Sequence, residues 1–203
     1  HVFDVDAFTI GFARRFATYK RANLIFQDMD GFNRLLHSPQ GPTQIMFSGK
    51  AHPADDAGKA YIQHIVRVAQ TPEYWDKVGF IENYDMNVGR YLVQGVDLWL
   101  NNPRRPREAS GTSGEKAAMN GVPNLSVLDG WWVEGYNGKN GWVIGEEREY
   151  RDYEVQDEAD ALSLYRALEQ DIVPLFFDRD DEGVPQGWVA VAKEAMHSSL
   201  WAF

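Results

Sequence analysis

The sequence predicts an α/β fold with a doubly wound parallel sheet of the Rossmann type. Short apolar runs alternate along the chain with helical patterns, which is the arrangement that a parallel sheet requires. The predicted strands are almost continuously apolar, as expected when helices cover both faces of a sheet. In chain order they cover residues 9–13, 43–49, 78–81, 96–100 and 122–128.

Helical patterns fill the intervals between these strands. The clearest covers residues 53–69, where apolar residues recur with a period close to 3.6 and a proline stands in an early turn. The other predicted helices cover residues 19–26, 28–36, 86–93, 115–120, 157–175 and 186–200. Asp157 and Glu158 are expected to begin the helical tail at about 155–203, because carboxylates suit the positive end of a helix. We expect residues 1–203 to form a single Rossmann-like domain.

Composition and charge exclude several classes of protein. The 203 residues are 44% hydrophobic and 25% charged, which is a normal globular balance. Cysteine is absent, so a disulfide scaffold, a thiolate metal site and a cysteine nucleophile are excluded. No apolar run approaches the ~20 residues of a membrane span. The net charge of −10 argues against binding to nucleic acid or anionic membranes. We expect a cytoplasmic protein, because cysteine is absent and the segment HVFDVDAF lacks the basic and apolar regions of a signal peptide.

Histidine spacing matches no metal-binding motif, and no metal site is predicted. The histidine at position 52 is expected to pack within its loop. The positive charge is locally concentrated, which indicates either a compact anion such as phosphate or solvated charges that balance nearby acids. The two clusters are Arg14, Arg15, Lys20 and Arg21, and Arg104, Arg105 and Arg107.

Two segments interrupt the alternation of strands and helices. Residues 101–112 are rich in Pro, Arg, Gly and Ser, and residues 129–145 contain Trp131, Trp132 and Trp142. Both follow predicted strands, and ligands bind beyond the carboxyl ends of strands in open α/β sheets. The tryptophans could stack on sugars or anchor the loop, and we expect two of the three in the core.

A small-residue loop that runs into the helix at 115–120 is the most informative segment. Its residues are Gly111, Thr112, Ser113 and Gly114. Backbone N–H groups at a helix N-terminus bind anions, and a phosphate there would lie within one turn of Lys116. The lysine suits either a phosphate clamp or a Schiff base with a phosphorylated aldehyde. A purely structural glycine turn is the more common explanation of such spacing, and neither a Walker loop nor a dinucleotide motif matches.

The string EASGTSGEKAAMNG, residues 108–121, resembles the pyridoxal-phosphate lysine motif of the α-glucan phosphorylases. The following PNLSVLDGWW, residues 123–132, resembles the bacterial and archaeal branch of that family. Three further segments resemble family motifs in the same order along the chain. They are GFARRFATYKR at 11–21, GKAHP at 49–53 and ENYD at 82–85. The resemblance covers residues 9–145.

This resemblance implies a glycosyltransferase-type enzyme of two Rossmann-like domains, in which the chain is the cofactor-bearing C-terminal domain of a longer protein. The implied activity is pyridoxal-phosphate-dependent, retaining phosphorolysis of an α-1,4-glucan, glycogen or maltodextrin, to α-glucose 1-phosphate. The implied partners are the glucan, inorganic phosphate and the N-terminal domain of the same parent chain. Homo-oligomer formation is left open, and the chain alone is expected to be inactive.

The resemblance also implies the residues that hold the cofactor. Pyridoxal phosphate would be attached covalently to Lys116. Its 5′-phosphate would be held by Thr112, Ser113 and Gly114, with Tyr84 beside it. A packed aromatic at a strand end is the alternative role for the tyrosine.

Substrate contacts follow from the same resemblance. Arg15 and Lys20 would hold inorganic phosphate and act with the lysine at position 116 in catalysis. Glu108, Ser110 and Gly111 would contact the glucosyl hydroxyls. Guanidinium and ammonium groups supply bidentate and point-charge partners for phosphate.

Two positions depart from the family pattern. Asp85 stands where many members have an arginine, which predicts that one phosphate contact is replaced. Glu115 stands where methionine is common, and it would either favour a protonated iminium or face solvent. A nucleotide-sugar glycosyltransferase or glucan synthase domain remains an alternative function, although such enzymes lack the lysine motif. The other alternative is a non-catalytic glucan- or cofactor-binding module.

Overall fold

A computed structural model describes residues 3–200, and its centre is one six-stranded parallel sheet. The strands are β1 (Phe8–Ala13), β2 (Thr43–Ser48), β3 (Val78–Ile81), β4 (Leu98–Asn101), β5 (Asn124–Val127) and β6 (Gly141–Ile144). Their order across the sheet is β3-β2-β1-β4-β5-β6, and every neighbouring pair is parallel. The order reverses between β1 and β4, which places the topological switch point there. The predicted doubly wound α/β class is confirmed.

Helices connect the strands and cover the sheet. They are α1 (Met29–Leu36), α2 (Asp56–Ala69), α3 (Met86–Gly95), α4 (Thr112–Met119), α5 (Trp132–Gly135), α6 (Tyr153–Ala167), α7 (Val173–Phe177) and α8 (Gln186–Leu200). A π-helical turn, Leu168–Ile172, joins α6 to α7 just before Pro174, which has no N–H to continue a regular ladder. Within residues 3–200, no helix has the length and apolarity needed to cross a bilayer.

All five predicted strands are present, with ends that shift by at most two residues. The sixth strand, β6, was not predicted and lies in the segment at 129–145 that the sequence indicates as a loop. It is only four residues long and occupies the edge of the sheet, so its apolar run is too short to identify it.

Two predicted helices are wrong in detail, and a third begins earlier than predicted, because residues 112–114 form the first turn of α4 (Thr112–Met119) instead of a loop. Residues 19–26 form two short 3₁₀ turns, Thr18–Lys20 and Leu24–Phe26, because Arg21 between them adopts a left-handed conformation (φ 48°, ψ 48°). The tail helix begins at Tyr153 with Asp152 as its N-cap, so Asp157 lies in its second turn. The end of the predicted tail, 201–203, lies outside the described residues.

Apolar side chains pack on both faces of the sheet. Along β4, Leu98 and Leu100 belong to the larger cluster, whereas Trp99 belongs to the cluster on the other face. Successive side chains of a strand point to opposite faces, so this alternation shows that β4 is covered on both sides. The smaller cluster includes Ala117 of α4 and Leu92 of α3, and it lies directly beneath the candidate site.

Arg21, one member of the first basic cluster, is a buried structural cation. Its guanidinium is 1% exposed and pairs with Asp160 at 2.7 Å and Asp157 at 2.8 Å. It also donates hydrogen bonds to the carbonyl groups of Asn102 and Pro103, at 2.8 and 2.9 Å. These contacts tie the turn after β1 to the loop after β4 and to α6. Burial raises the pKa of Asp160, and the adjacent guanidinium opposes that rise.

Replacing the buried guanidinium should destabilise the fold severely. We expect Arg21→Ala to lower the free energy of unfolding by about 3–5 kcal/mol, because Asp160 then becomes a buried carboxylate without its cation. The matched control is Arg34→Ala, whose exposed guanidinium bonds Glu169 at 3.0 Å and should contribute less than about 1 kcal/mol. Chemical denaturation of both variants measures the difference. Equal losses would show that the buried cluster does not hold these elements together.

Candidate active site

Three charged side chains meet at the carboxyl edge of the sheet, where the strand order reverses. Arg14 follows β1 directly, Lys20 ends the first 3₁₀ turn, and Glu108 lies in the loop after β4. The Lys20 Nζ atom lies 2.7 Å from Glu108 Oε2, and Arg14 Nη1 lies 3.4 Å from the same oxygen. Two cations therefore share one carboxylate, and the cluster keeps an excess of positive charge.

Arg14 also links the cluster to the start of α4. Its Nη2 atom donates to Asn101 Oδ1 at the end of β4 and to Ser113 Oγ at 3.3 Å. Burial lowers the pKa of Arg14, while the Glu108 carboxylate and two nearby tyrosines oppose that shift. Its Nε atom is buried and has no hydrogen-bond partner within residues 3–200. Such an unpaired donor beside a polar site is suited to an acceptor on a ligand.

The N-terminus of α4 has no side-chain cap. Its N-cap is Gly111 in a left-handed conformation (φ 88°), whereas α1, α2, α3 and α6 each begin at an aspartate whose carboxylate accepts a backbone N–H. The first N–H groups of a helix have no partner within the helix, and those of Thr112 and Ser113 have no acceptor within residues 3–200. The Gly114 N–H, in contrast, donates to the Gly111 carbonyl at 2.9 Å. The helix dipole adds partial positive charge at the same place.

Close packing explains the glycine at position 114. A Cβ atom there would lie 2.5 Å from Asn124 Oδ1 and 2.6 Å from Asn101 Nδ2. These two asparagines bond each other at 3.0 Å, and Asn124 Nδ2 donates to the Gly114 carbonyl, also at 3.0 Å. The asparagine pair therefore fixes the start of α4 against β4 and β5.

A groove of 1030 Å³ opens between α3 and α4 beside this helix start. Lys116 lies in the groove as an exposed side chain and forms no ion pair with the described part of the chain. Ser113, Tyr84 and Trp99 line the same groove, and the indole of Trp99 donates to Ser113 Oγ at 3.3 Å. Ser113 therefore contacts both the groove and the charged cluster.

The predicted site residues fall into three groups, with Arg15 apart from all of them. Lys116, Ser113 and Tyr84 share the groove, and Lys20 and Glu108 form an ion pair next to it. The third group lies at the start of α4 or in the loop before it. Its members are Thr112, which is exposed, Gly114, which is buried, Gly111 at the N-cap, and Ser110 in the preceding loop.

Arg15 is exposed and has no hydrogen bond or ion pair with residues 3–200, in contrast to its neighbour Arg14. The structure does not bring Arg15 into the charged cluster, and its phosphate role stays a prediction. Ser110 contacts α4 instead of facing the groove, because its hydroxyl donates to Glu115 Oε1 at 3.2 Å. Glu115 therefore has a partner and does not simply face solvent.

Sequence reasoning missed Arg14, Asn101 and Asp129 as site residues. The carboxylate of Asp129 accepts the Glu108 N–H at 2.7 Å and the Gly130 N–H at 3.1 Å. Burial raises the pKa of Asp129, and these N–H bonds oppose the rise. Arg14 was visible as a member of a basic cluster, and Asn101 as the polar residue that follows an apolar run. Nothing in the linear sequence indicates that Asp129 reaches Glu108.

Each arginine of the second basic cluster has a local hydrogen-bond partner. Arg104 pairs with Asp157, Arg105 donates to the Leu128 carbonyl, and Arg107 bonds the hydroxyl of Tyr153. These contacts favour a structural role over anion binding.

Other candidates also have local roles. Asp85 caps α3 by accepting the Val88 N–H at 2.8 Å, and His52 Nδ1 accepts a backbone N–H within its own turn. Two of the three tryptophans in the segment at 129–145, at positions 131 and 132, are buried. The third, Trp142, is half-buried and stacks on Trp188 with ring centroids 5.6 Å apart.

Comparison with known proteins places this arrangement in a family. Residues 2–161 match the family model described as carbohydrate phosphorylase. The chain belongs to the carbohydrate phosphorylase family.

Curated relatives of the chain agree with this assignment. It is 50% identical over 198 residues to the glycogen phosphorylase of Aquifex aeolicus. This alignment covers 96% of this chain and 28% of the relative. It is 52% identical over 195 residues to the maltodextrin phosphorylase of Thermococcus litoralis, covering 96% and 23% respectively. It is 47% identical over 196 residues to a glycogen phosphorylase of Mycobacterium tuberculosis, covering 97% and 23%. The chain therefore spans about a quarter of the length of these relatives.

Proposed function

We propose that the full-length protein containing this chain catalyses pyridoxal-phosphate-dependent, retaining phosphorolysis of α-1,4-glucan to α-glucose 1-phosphate. This chain supplies the half of the site that binds the cofactor and phosphate. One observation carries the proposal. The Lys116 side chain shares a groove with Ser113 at an uncapped helix N-terminus, and Ser113 accepts from the buried Arg14, which shares the Glu108 carboxylate with Lys20.

The residues of the groove fit pyridoxal phosphate. The cofactor needs an accessible amine, an anion site for its phosphate and room for a pyridine ring. Lys116 offers the amine, and the 1030 Å³ groove exceeds the ~300 Å³ lower limit of small-molecule sites. The N–H groups of Thr112 and Ser113, in the same turn as Gly114, and the unpaired Nε of Arg14 would hold the phosphate. When bound, the group would supply a phosphate that exchanges a proton with the substrate phosphate.

Lys20 and Arg15 would hold inorganic phosphate next to the cofactor. Two phosphates in contact repel each other, so they require several cations nearby. The cluster of Arg14, Lys20 and Glu108 carries excess positive charge in a mostly buried position, where the attraction to an anion is stronger than in bulk water. Arg15 would add a planar guanidinium for bidentate binding.

Glu108 would bind hydroxyl groups of the reacting glucosyl unit. Both cations contact its Oε2 atom, and Oε1 has no hydrogen-bond partner within residues 3–200. A carboxylate oxygen in this state accepts a hydroxyl hydrogen bond without losing its ion pair. Ser110 and Gly111 lie at the same loop and would add contacts to the sugar.

Phosphorolysis requires that water is kept out of the site. An oxocarbenium-like sugar open to solvent would be hydrolysed instead of captured by phosphate. Misplacement of the sugar by ~1 Å can cost a hundredfold in rate. The groove exposes Lys116 to solvent, so this chain forms one wall of the site. We infer that the N-terminal part of the same parent chain closes the site, and that this chain alone lacks activity.

Covalent labelling tests the cofactor assignment. Borohydride treatment of the full-length protein supplied with pyridoxal phosphate should fix one pyridoxyl group on Lys116, detected by peptide mapping. Lys116→Ala should abolish the label. Lys139→Ala is the control, because Lys139 is also exposed but lies in the loop after α5, and the label should persist. A label on Lys139 or Lys50, or none, would contradict the assignment.

Kinetics in phosphate test the proposed anion site. Lys20→Ala and Arg15→Ala in the full-length protein should each raise KM for phosphate roughly ten- to hundredfold, because a charged hydrogen bond contributes ~1.5–3 kcal/mol. Lys59→Ala removes an exposed ion pair on α2 and should leave KM unchanged. Thermal melts separate binding from folding. Normal phosphate kinetics in both variants would rule out the assigned role.

A further inference from the structure

A single carboxylate joins the two loops that follow β4 and β5. Asp129 lies two residues beyond β5 and is 8% exposed. Its Oδ2 atom accepts the backbone N–H of Glu108 at 2.7 Å, and its Oδ1 atom accepts the N–H of Gly130 at 3.1 Å. Both oxygens are therefore engaged, one with each loop.

The two loops approach each other more closely than a side chain would permit. Gly130 has φ 58°, and a Cβ atom there would lie 2.4 Å from the carbonyl oxygen of Ser110. That same carbonyl accepts the Trp131 N–H at 2.8 Å. The backbone of residues 108–110 is thus held at both ends of the segment, by Asp129 at Glu108 and by Trp131 at Ser110.

This attachment determines where the Glu108 carboxylate lies. The hydrogen bond from the Glu108 N–H fixes the backbone from which the side chain projects toward Lys20 and Arg14. A bond to an ionised acceptor is shorter and stronger than one between neutral groups. An amide in place of Asp129 could accept only one of the two N–H groups and would present its own NH₂ to the other.

We propose that Asp129 is a positioning residue, which holds Glu108 in place for recognition of the glucosyl unit. The proposal rests on the proposed function for the sugar contact. Asp129 itself touches neither the groove nor the charged side chains, and it acts through the backbone of Glu108. Loss of this attachment should therefore damage sugar binding and turnover only while the Glu108 carboxylate is present.

Asp97 provides a matched control for the same chemistry. Its Oδ2 atom accepts the Thr9 N–H at 2.8 Å, and burial raises the pKa of Asp97 as it does that of Asp129. It precedes β4, so it lies at the amino edge of the parallel sheet, opposite to the candidate site. If Asp129 only stabilised the fold, Asp129→Asn and Asp97→Asn should have similar effects on kcat/KM.

A double-mutant cycle in the full-length protein tests the coupling. Asp129→Asn should lower kcat/KM for glucan about tenfold or more, since small misplacements in an active site are costly. In a Glu108→Gln background, the same substitution should cost less than about twofold, because coupled residues are not additive. Asp97→Asn should change kcat/KM less than about twofold. Equal losses from Asp129→Asn in both backgrounds would overturn the proposal.

Hydrogen exchange supplies a second measurement that does not depend on activity. Mass spectrometry of the segment around Glu108 should show faster amide exchange in Asp129→Ala, which has no side-chain acceptor for the Glu108 N–H, and unchanged exchange in Asp97→Ala. Unchanged exchange in Asp129→Ala would overturn the proposed attachment. If the wild-type protein shows no phosphorolysis, the proposed function fails. The exchange result then decides whether Asp129 holds Glu108.

Discussion

The central constraint on this structure is the pairing of buried charge at the switch point of the sheet. The side chains of Arg14 and Lys20 are largely buried close to the end of β1, and both form an ion pair with the single carboxylate of Glu108. Isolated buried charges are very costly, so the loop that carries Glu108 must be held accurately. Asp129 secures its backbone, and Asn101 accepts from the guanidinium of Arg14. The arrangement of both loops follows from this requirement.

The incomplete neutralisation of that cluster links the fold to its proposed chemistry. Two cations with one carboxylate leave positive charge, and α4 adds an uncapped N-terminus next to it. Both features are unfavourable without an anion, and both lie where ligands bind in doubly wound sheets. Ser113 contacts the Arg14 guanidinium and lines the groove that contains Lys116, so it would connect the proposed phosphate site to the proposed cofactor site. The family assignment agrees with this anion-centred site.

The sequence predicted the parts of this fold that depend on local pattern. Apolar runs located five strands, whereas the four-residue edge strand β6 had too short a pattern to detect. The lysine motif brings Lys116 and Ser113 close together in the chain, and both line the groove, while their cofactor roles stay predictions. Asp129 and Asn101 could not be predicted, since they meet Glu108 and Arg14 only through tertiary packing across 21 and 87 positions. Arg14 and Arg15 are adjacent, and only the fold determines that Arg14 is the buried one.

The identity of the released sugar is the decisive measurement for the proposed phosphate site. The full-length protein would be incubated with maltodextrin in the presence and absence of inorganic phosphate, and the sugars released would be identified by NMR. We expect α-glucose 1-phosphate as the product, with release that depends on phosphate and little free glucose, because the proposed site holds phosphate as the nucleophile. Free glucose as the main product, or release independent of phosphate, would contradict it.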